Sequence, residues 1–283
     1  MILGLVTIGN IGASFFIQLL MFTVIGANKE TDIFIISSAA PLLLSSVISG
    51  IFNNLLIPFF STEESNSQSG LLSDVFIIIF LGALCFTFAI YLSSFMWFGY
   101  LFNPETLHEL AIAKHIFNVQ LITMFFTVIY SVIWAYINSL GFHFRSEFIP
   151  FLLSLVAIPF AYYLLPMYGV VTMAYIVMIK TIICTLIQGY GVLRVKCIWL
   201  NKRILVVILA KIKPVLIASI YYKSDFFIER FLLMSSSAGT LSLFNLAQQL
   251  INAGLQVATK AVVTPNIKSL GYSYRSGLGS YKL

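Results

Sequence analysis

Charge is scarce in this chain. Asp, Glu, Lys and Arg make up 9% of its 283 residues, and a water-soluble domain of that length needs far more polar surface. Cysteine is scarcer still. Cys85, Cys184 and Cys197 show no CxxC spacing and have no histidine at metal-ligand spacing, so neither a zinc site nor a disulfide framework is suggested. His108, His115 and His143 are scattered around loops and read as solvated. No GxxxxGK[ST] loop is present, so the chain is not expected to hydrolyse ATP. No Ser, His and Asp grouping and no carboxylate pair outside the apolar runs suggests an enzyme, and neither cofactor nor metal is expected. The formal charge of +6 lies in loops between apolar runs, where membrane topology explains it more simply than a nucleic-acid partner.

What fills the chain is hydrocarbon: 60% of residues are hydrophobic and the mean hydropathy is +0.99. Stretches long enough to cross a bilayer run approximately over 2–26, 33–60, 75–102, 116–141, 148–166, 169–193, 214–234 and 240–265. The fold class is therefore an all-α polytopic membrane protein with about eight transmembrane helices. The first run is too long for a signal-peptide core and lacks a basic start and a cleavage site. Pro41, Gly50, Asn53, Asn54 and Pro58 interrupt the second run, and Pro159 the fifth. Such breaks are tolerated where neighbours or water satisfy the freed carbonyls.

Lys and Arg are unevenly divided between alternate loops. With a cytoplasmic amino terminus, eleven of them fall inside, namely Arg145, Arg194, Lys196, Lys202, Arg203, Lys211, Lys213, Lys260, Lys268, Arg275 and Lys282. Only Lys29 and Lys114 fall outside. This asymmetry places both termini in the cytoplasm. The organisation expected is a six-helix bundle over 1–193, a basic cytoplasmic connector over 194–213, two further helices over 214–265 and a cytoplasmic tail over 266–283. The connector reads either as an interfacial helix or as a simple loop leading into an extended seventh helix.

Three basic residues, Lys180, Lys223 and Arg230, lie inside spans, as do Asp225 and Glu229. A charge at the bilayer centre costs roughly 2.5 to 3.5 kcal/mol on insertion scales, so a helix that keeps several turns them toward protein or a wet cavity. Lys223 and Arg230 are seven apart and share one helix face. Asp225 and Glu229, four apart, share another, where they suit a coupling cation or proton. The alternative for all four is structural neutralisation by adjacent helices. Asp32, at the outer end of the second helix, reads either as the N-cap for Ile33 onward or as a gating residue. Asn53, Asn54, Gln248 and Gln249 read as interhelical hydrogen-bond glue.

Two segments carry a family resemblance. Val24 to Glu64 reads VIGANKETDIFIISSAAPLLLSSVISGIFNNLLIPFFSTEE, and the pattern of Gly26, Ala27, Thr31, Asp32, Phe34, Pro41, Pro58 and Glu63 or Glu64 resembles the first-to-second helix region of MurJ/MviN-like lipid II flippases. The stretch from Ile212 to Pro265 resembles that family's seventh and eighth helices, with Pro214, Glu229, Ala247, Leu250 and Pro265 at matching places. The family carries a basic pair and an acidic residue in mid-helix two, where this chain has Ser45, Ser46 and Gly50. Its Asp-Arg pair in the eighth helix is replaced by Gln248-Gln249. The resemblance thus implies the wider superfamily of multidrug, oligosaccharidyl-lipid and polysaccharide exporters more firmly than lipid II itself.

That superfamily has two six-helix bundles facing a central cavity, so the resemblance implies a truncated or partial protein. It also implies alternating access in a bacterial cytoplasmic membrane, with a lipid-linked saccharide as cargo and a role in polysaccharide or peptidoglycan synthesis. Lys180, Lys223 and Arg230 would then meet an anionic pyrophosphate, while Asp32, Asp225 and Glu229 would serve gating or a coupling cation or proton. The other partners are membrane lipids. A small-molecule exporter of the same superfamily, or an inactive copy acting as a membrane scaffold, are the alternatives.

Overall fold

A computed structural model describes residues 2–61, 65–102, 107–190, 216–221, 223–225, 228–233 and 236–256. The connector at 194–213, the tail at 266–283, Glu63, Glu64, Cys197, Pro214 and Pro265 lie outside the described residues. Six long helices run in chain order: α1 (Ile2–Val24), α2 (Lys29–Ser61), α3 (Ser65–Phe102), α4 (Leu107–Ser139), α5 (His143–Tyr168) and α6 (Val170–Tyr190). Helical residues at 216–221, 223–225 and 228–233, called α7, and at 240–256, called α8, follow. All six long helices have the length and apolar composition to cross a membrane. The chain is an all-α, multi-pass membrane protein.

Two boundaries moved furthest. α3 and α4 begin about ten residues earlier than the apolar windows suggest, at Ser65 and Leu107. The added turns contain Ser65, Ser67 and Ser69, or His108 and Glu109, which hydropathy excludes but a helix accommodates where it leaves the hydrocarbon. α2 remains one helix through Pro41 and Pro58, as α5 does through Pro150, Pro159 and Pro166.

Packing is organised around α4, which touches α2, α3, α5 and α6. Its buried residues Ile116, Phe117, Met124, Val132 and Ile133 enter four of the apolar clusters that hold the six-helix half together. α1 lies against α5. There Gly9 faces the ring of Phe151, and a Cβ at that position would sit 2.8 Å from Cε2. A small residue lets the two helices approach, the usual device of membrane helix pairs. α5 and α6 are joined through the single residue Gly169, which adopts φ +66°.

Candidate functional site

The polar contacts of interest join the six-helix half to α7 and α8. They begin at the end where α2 starts. Asn28 caps α2: its Oδ1 accepts from Thr31 N at 3.1 Å, while Thr31 Oγ1 accepts from Asn28 N at 2.9 Å. This reciprocal pair leaves Asp32 without a capping duty on its own helix. Its carboxylate instead crosses to the start of α8, accepting from Gly239 N at 2.6 Å and from Ser242 N at 2.8 Å. Ser242 Oγ lies 2.5 Å from Asp32 Oδ1 and 2.8 Å from Thr31 Oγ1.

Asp32 is thus the N-terminal cap of a helix more than two hundred residues away in sequence. A carboxylate there meets unpaired N–H groups and the positive end of the helix dipole. Gly239 makes the approach possible. It has φ +88°, and a Cβ there would lie 2.5 Å from the carbonyl oxygen of Ala27. Asp32, Gly239, Ser242 and Thr31 form a latch between the halves. At the same end the more exposed Lys29 pairs with Glu109 at 3.0 Å, fastening α2 to α4.

Deeper along α2, about 21 Å from Asp32 at 1.5 Å per residue, Lys223 of α7 donates to the carbonyl oxygen of Ser46 at 2.6 Å. Its Nζ also lies beside Gly50, 3.8 Å from where a Cβ would stand. The cation therefore reaches mid-α2 from α7, at the stretch where the family resemblance expects basic side chains on α2 itself. Arg230 is 4% exposed and donates to Asn245 Oδ1 of α8. Glu229 accepts from Gln248 Nε2 at 3.0 Å, tying α7 to α8 again. Asp225 is exposed.

The six residues singled out by charge are therefore divided. Lys223 reaches α2, Arg230 and Glu229 reach α8, and Asp32 joins α2 to α8. Among the described contacts, Lys223 reaches Ser46 of α2 and Arg230 reaches Asn245 of α8, despite their seven-residue spacing. Lys180 belongs elsewhere: its Nζ donates to Ser154 Oγ of α5 at 3.4 Å, and that hydroxyl lies 3.4 Å from Asn10 Oδ1 of α1. Gln248 serves as interhelical glue. Sequence reading missed Gly239, Ser242, Asn245 and Ser46, the partners that give the charged residues their geometry. One signal was available, the Ser237-Ala-Gly-Thr240 run, a turn followed by a helix start. A further buried carboxylate, Asp74 near the start of the α3 span, is 7% exposed.

The architecture is that of an all-α, multi-pass membrane protein, and it has counterparts among solved structures. A solved structure of the lipid II flippase MurJ, in an inward closed conformation, superposes with TM-score 0.74 over 88% of this chain and 54% of that one, at 15% identity. An inward-facing multidrug resistance MATE family transporter of the MOP superfamily superposes with TM-score 0.53 over 97% of this chain and 62% of that one, at 17% identity. The chain shares the fold of these two structures and spans 54% and 62% of their lengths. No family model matches the sequence, and no curated protein matches it.

Proposed function

We propose that this chain takes part in moving a lipid-linked saccharide across a bacterial cytoplasmic membrane by alternating access, with both termini in the cytoplasm. The carrying observation is the Asp32 latch onto Gly239 and Ser242. In the orientation given by the basic loops, the latch lies at the outer face. It closes that side by hydrogen bonds that can be broken and remade, as a gate requires. Below it, Lys223 presents a cation at bilayer depth against α2, suited to an anionic phosphate of the cargo, and Arg230 adds positive charge about two turns away on α7. Exposed Asp225, with Glu229 on the α8 side, offers carboxylates for a coupling cation or proton. The likeness to the inward-facing multidrug transporter supports a second reading, export of a small molecule by the same motion.

The test is transbilayer movement of a fluorescent lipid-linked oligosaccharide in liposomes containing the protein. Movement lowered at least about tenfold by Lys223→Gln, as expected for loss of one charge-assisted contact of roughly 1.5 to 3 kcal/mol, supports the reading. Movement of a fluorescent drug in the same vesicles, with none of the saccharide, supports the exporter instead. A folded protein that moves neither defeats both.

A further inference from the structure

The loop count leaves two basic residues on the outer side, Lys29 and Lys114, and they are answered differently. Lys29 pairs with Glu109. Lys114 lies over the Phe95 ring of α3, its Nζ 4.3 Å from the centroid, and among the described residues it has no carboxylate partner. A cation resting on an aromatic face still has N–H groups to offer.

The neighbouring His115 is exposed, and its Nε2 lies 2.8 Å from Tyr175 Oη of α6. Among the described residues neither side chain has another hydrogen-bond partner. Which of the two donates depends on the tautomer, but the result for a third group does not. If the Tyr175 hydroxyl donates to Nε2, the Nδ1–H is spare. If Nε2–H donates instead, the hydroxyl hydrogen is spare. A neutral pair thus always leaves one donor uncommitted.

These donors flank one strip of α4. Ala111, His115, Asn118 and Ile122 recur at a spacing of three or four and share one face, on which Ala111, His115 and Ile122 are exposed. α3 and α6 both pack on α4, so the strip is the floor of a groove with α3 on the Lys114 side and α6 on the Tyr175 side. Toward the bilayer centre its surfaces turn apolar: Ile122 on the floor, Leu92 one turn from Phe95 on α3, and Ile179 one turn from Tyr175 on α6, all exposed. Phe117, by contrast, enters the apolar cluster shared with α2. The groove therefore lies apart from the junction with α7 and α8. Lys114 follows the start of α4 by seven residues and Phe95 precedes the end of α3 by seven, which sets both about 10 Å from those helix ends. The apolar run of α4 begins two residues after Lys114, so the donors stand where lipid phosphates meet hydrocarbon.

We propose that this groove seats one anionic phospholipid of the outer leaflet, its phosphate held between the Lys114 ammonium and the spare donor of the His115–Tyr175 pair, with an acyl chain over Ile122. The charge of the site selects the headgroup. Lys114 supplies one positive charge, and the neighbouring carboxylate of Glu109 is committed to Lys29. A phosphodiester with no charge of opposite sign neutralises Lys114, whereas a zwitterionic lipid brings its own ammonium to it. The seated lipid joins α3 to α6 across α4.

The site does not rest on the proposed cargo, and its test needs none. The full chain in a nonionic detergent is titrated with dioleoyl phosphatidylglycerol or dioleoyl phosphatidylcholine, and bound lipid is counted by native mass spectrometry. The first phosphatidylglycerol is expected to bind at least about fivefold more tightly than phosphatidylcholine, the scale of one cation beside an anionic lipid. Lys114→Gln is expected to abolish that preference and Lys114→Arg to keep it. Ile122→Trp, which fills the floor without altering charge, is expected to weaken both lipids. Arg145→Gln removes a cation at the opposite end of the bundle and is expected to leave the first binding step unchanged. Equal affinity for the two lipids, an unchanged preference in folded Lys114→Gln, or an equal loss in Arg145→Gln overturns the site. Binding that survives Ile122→Trp overturns the seat for the acyl chain. Glycerophosphoglycerol held as tightly as the whole lipid also overturns it, since a free phosphate ester then suffices.

Discussion

The six-helix half and its contact with α7 and α8 are held together in different ways. Within the half, α4 is enclosed by interdigitated apolar side chains such as Phe98, Phe117, Leu121 and Met124. Across to α8, the junction at the end where α2 starts turns on one carboxylate, two backbone N–H groups and two hydroxyls. Close packing has a single well-defined arrangement and resists partial opening. A few hydrogen bonds exchange for water with little net cost, because each contributes only about 0.5 to 1.5 kcal/mol, or 1.5 to 3 when charged. Under the alternating access proposed above, the difference separates a body that moves as one piece from a contact that parts.

The largest expected effect comes from breaking the body. Phe117→Ala, at a side chain 1% exposed, is expected to cost about 3 to 5 kcal/mol of stability, visible as a lower unfolding midpoint in detergent with the latch distance unchanged. Breaking the latch reverses the pattern. Asp32→Ala is expected to shift the balance toward the open form by roughly 2 kcal/mol, near thirtyfold, read as a longer distance between spin labels on α2 and α8, with the unfolding midpoint hardly moved. Equal changes in both measurements for either variant would erase the distinction. The smallest effect belongs to the lipid-facing side of α3. Phe88 is 60% exposed, and Phe88→Leu is expected to stay within about 0.5 kcal/mol in both measurements, since lipid solvates either side chain.

The helices were legible because the bilayer demands long apolar runs, and composition alone meets that demand. Their enclosure was not: α3 and α4 read alike as apolar spans, yet α4 sits at the centre of the half and α3 leaves Phe86, Phe88, Leu92, Phe95 and Met96 exposed. Hydropathy carries no such information, because lipid tails are as apolar as a protein interior. The charged candidates were legible for the opposite reason, standing out against hydrocarbon. Their partners stayed hidden. Ser46, Ser154, Ser242 and Asn245 are ordinary polar residues in sequence, and only the superposition of α7, α8 and α5 on their neighbours sets them beside Lys223, Lys180, Asp32 and Arg230. Asp32 itself was seen, but its capping of α8 rather than α2 depends on contacts that no local pattern encodes.

Pro150 bears on biogenesis. An α5 segment released alone into lipid would carry the Ser146 carbonyl with no donor from its own backbone, and Pro159 and Pro166 remove two more N–H groups from the same helix. The donors that answer Ser146 come from Tyr130, already synthesised, and from Gln188, which emerges only after α6. Because Gly169 alone separates α5 from α6, the two are expected to enter the bilayer as one hairpin that docks against α4.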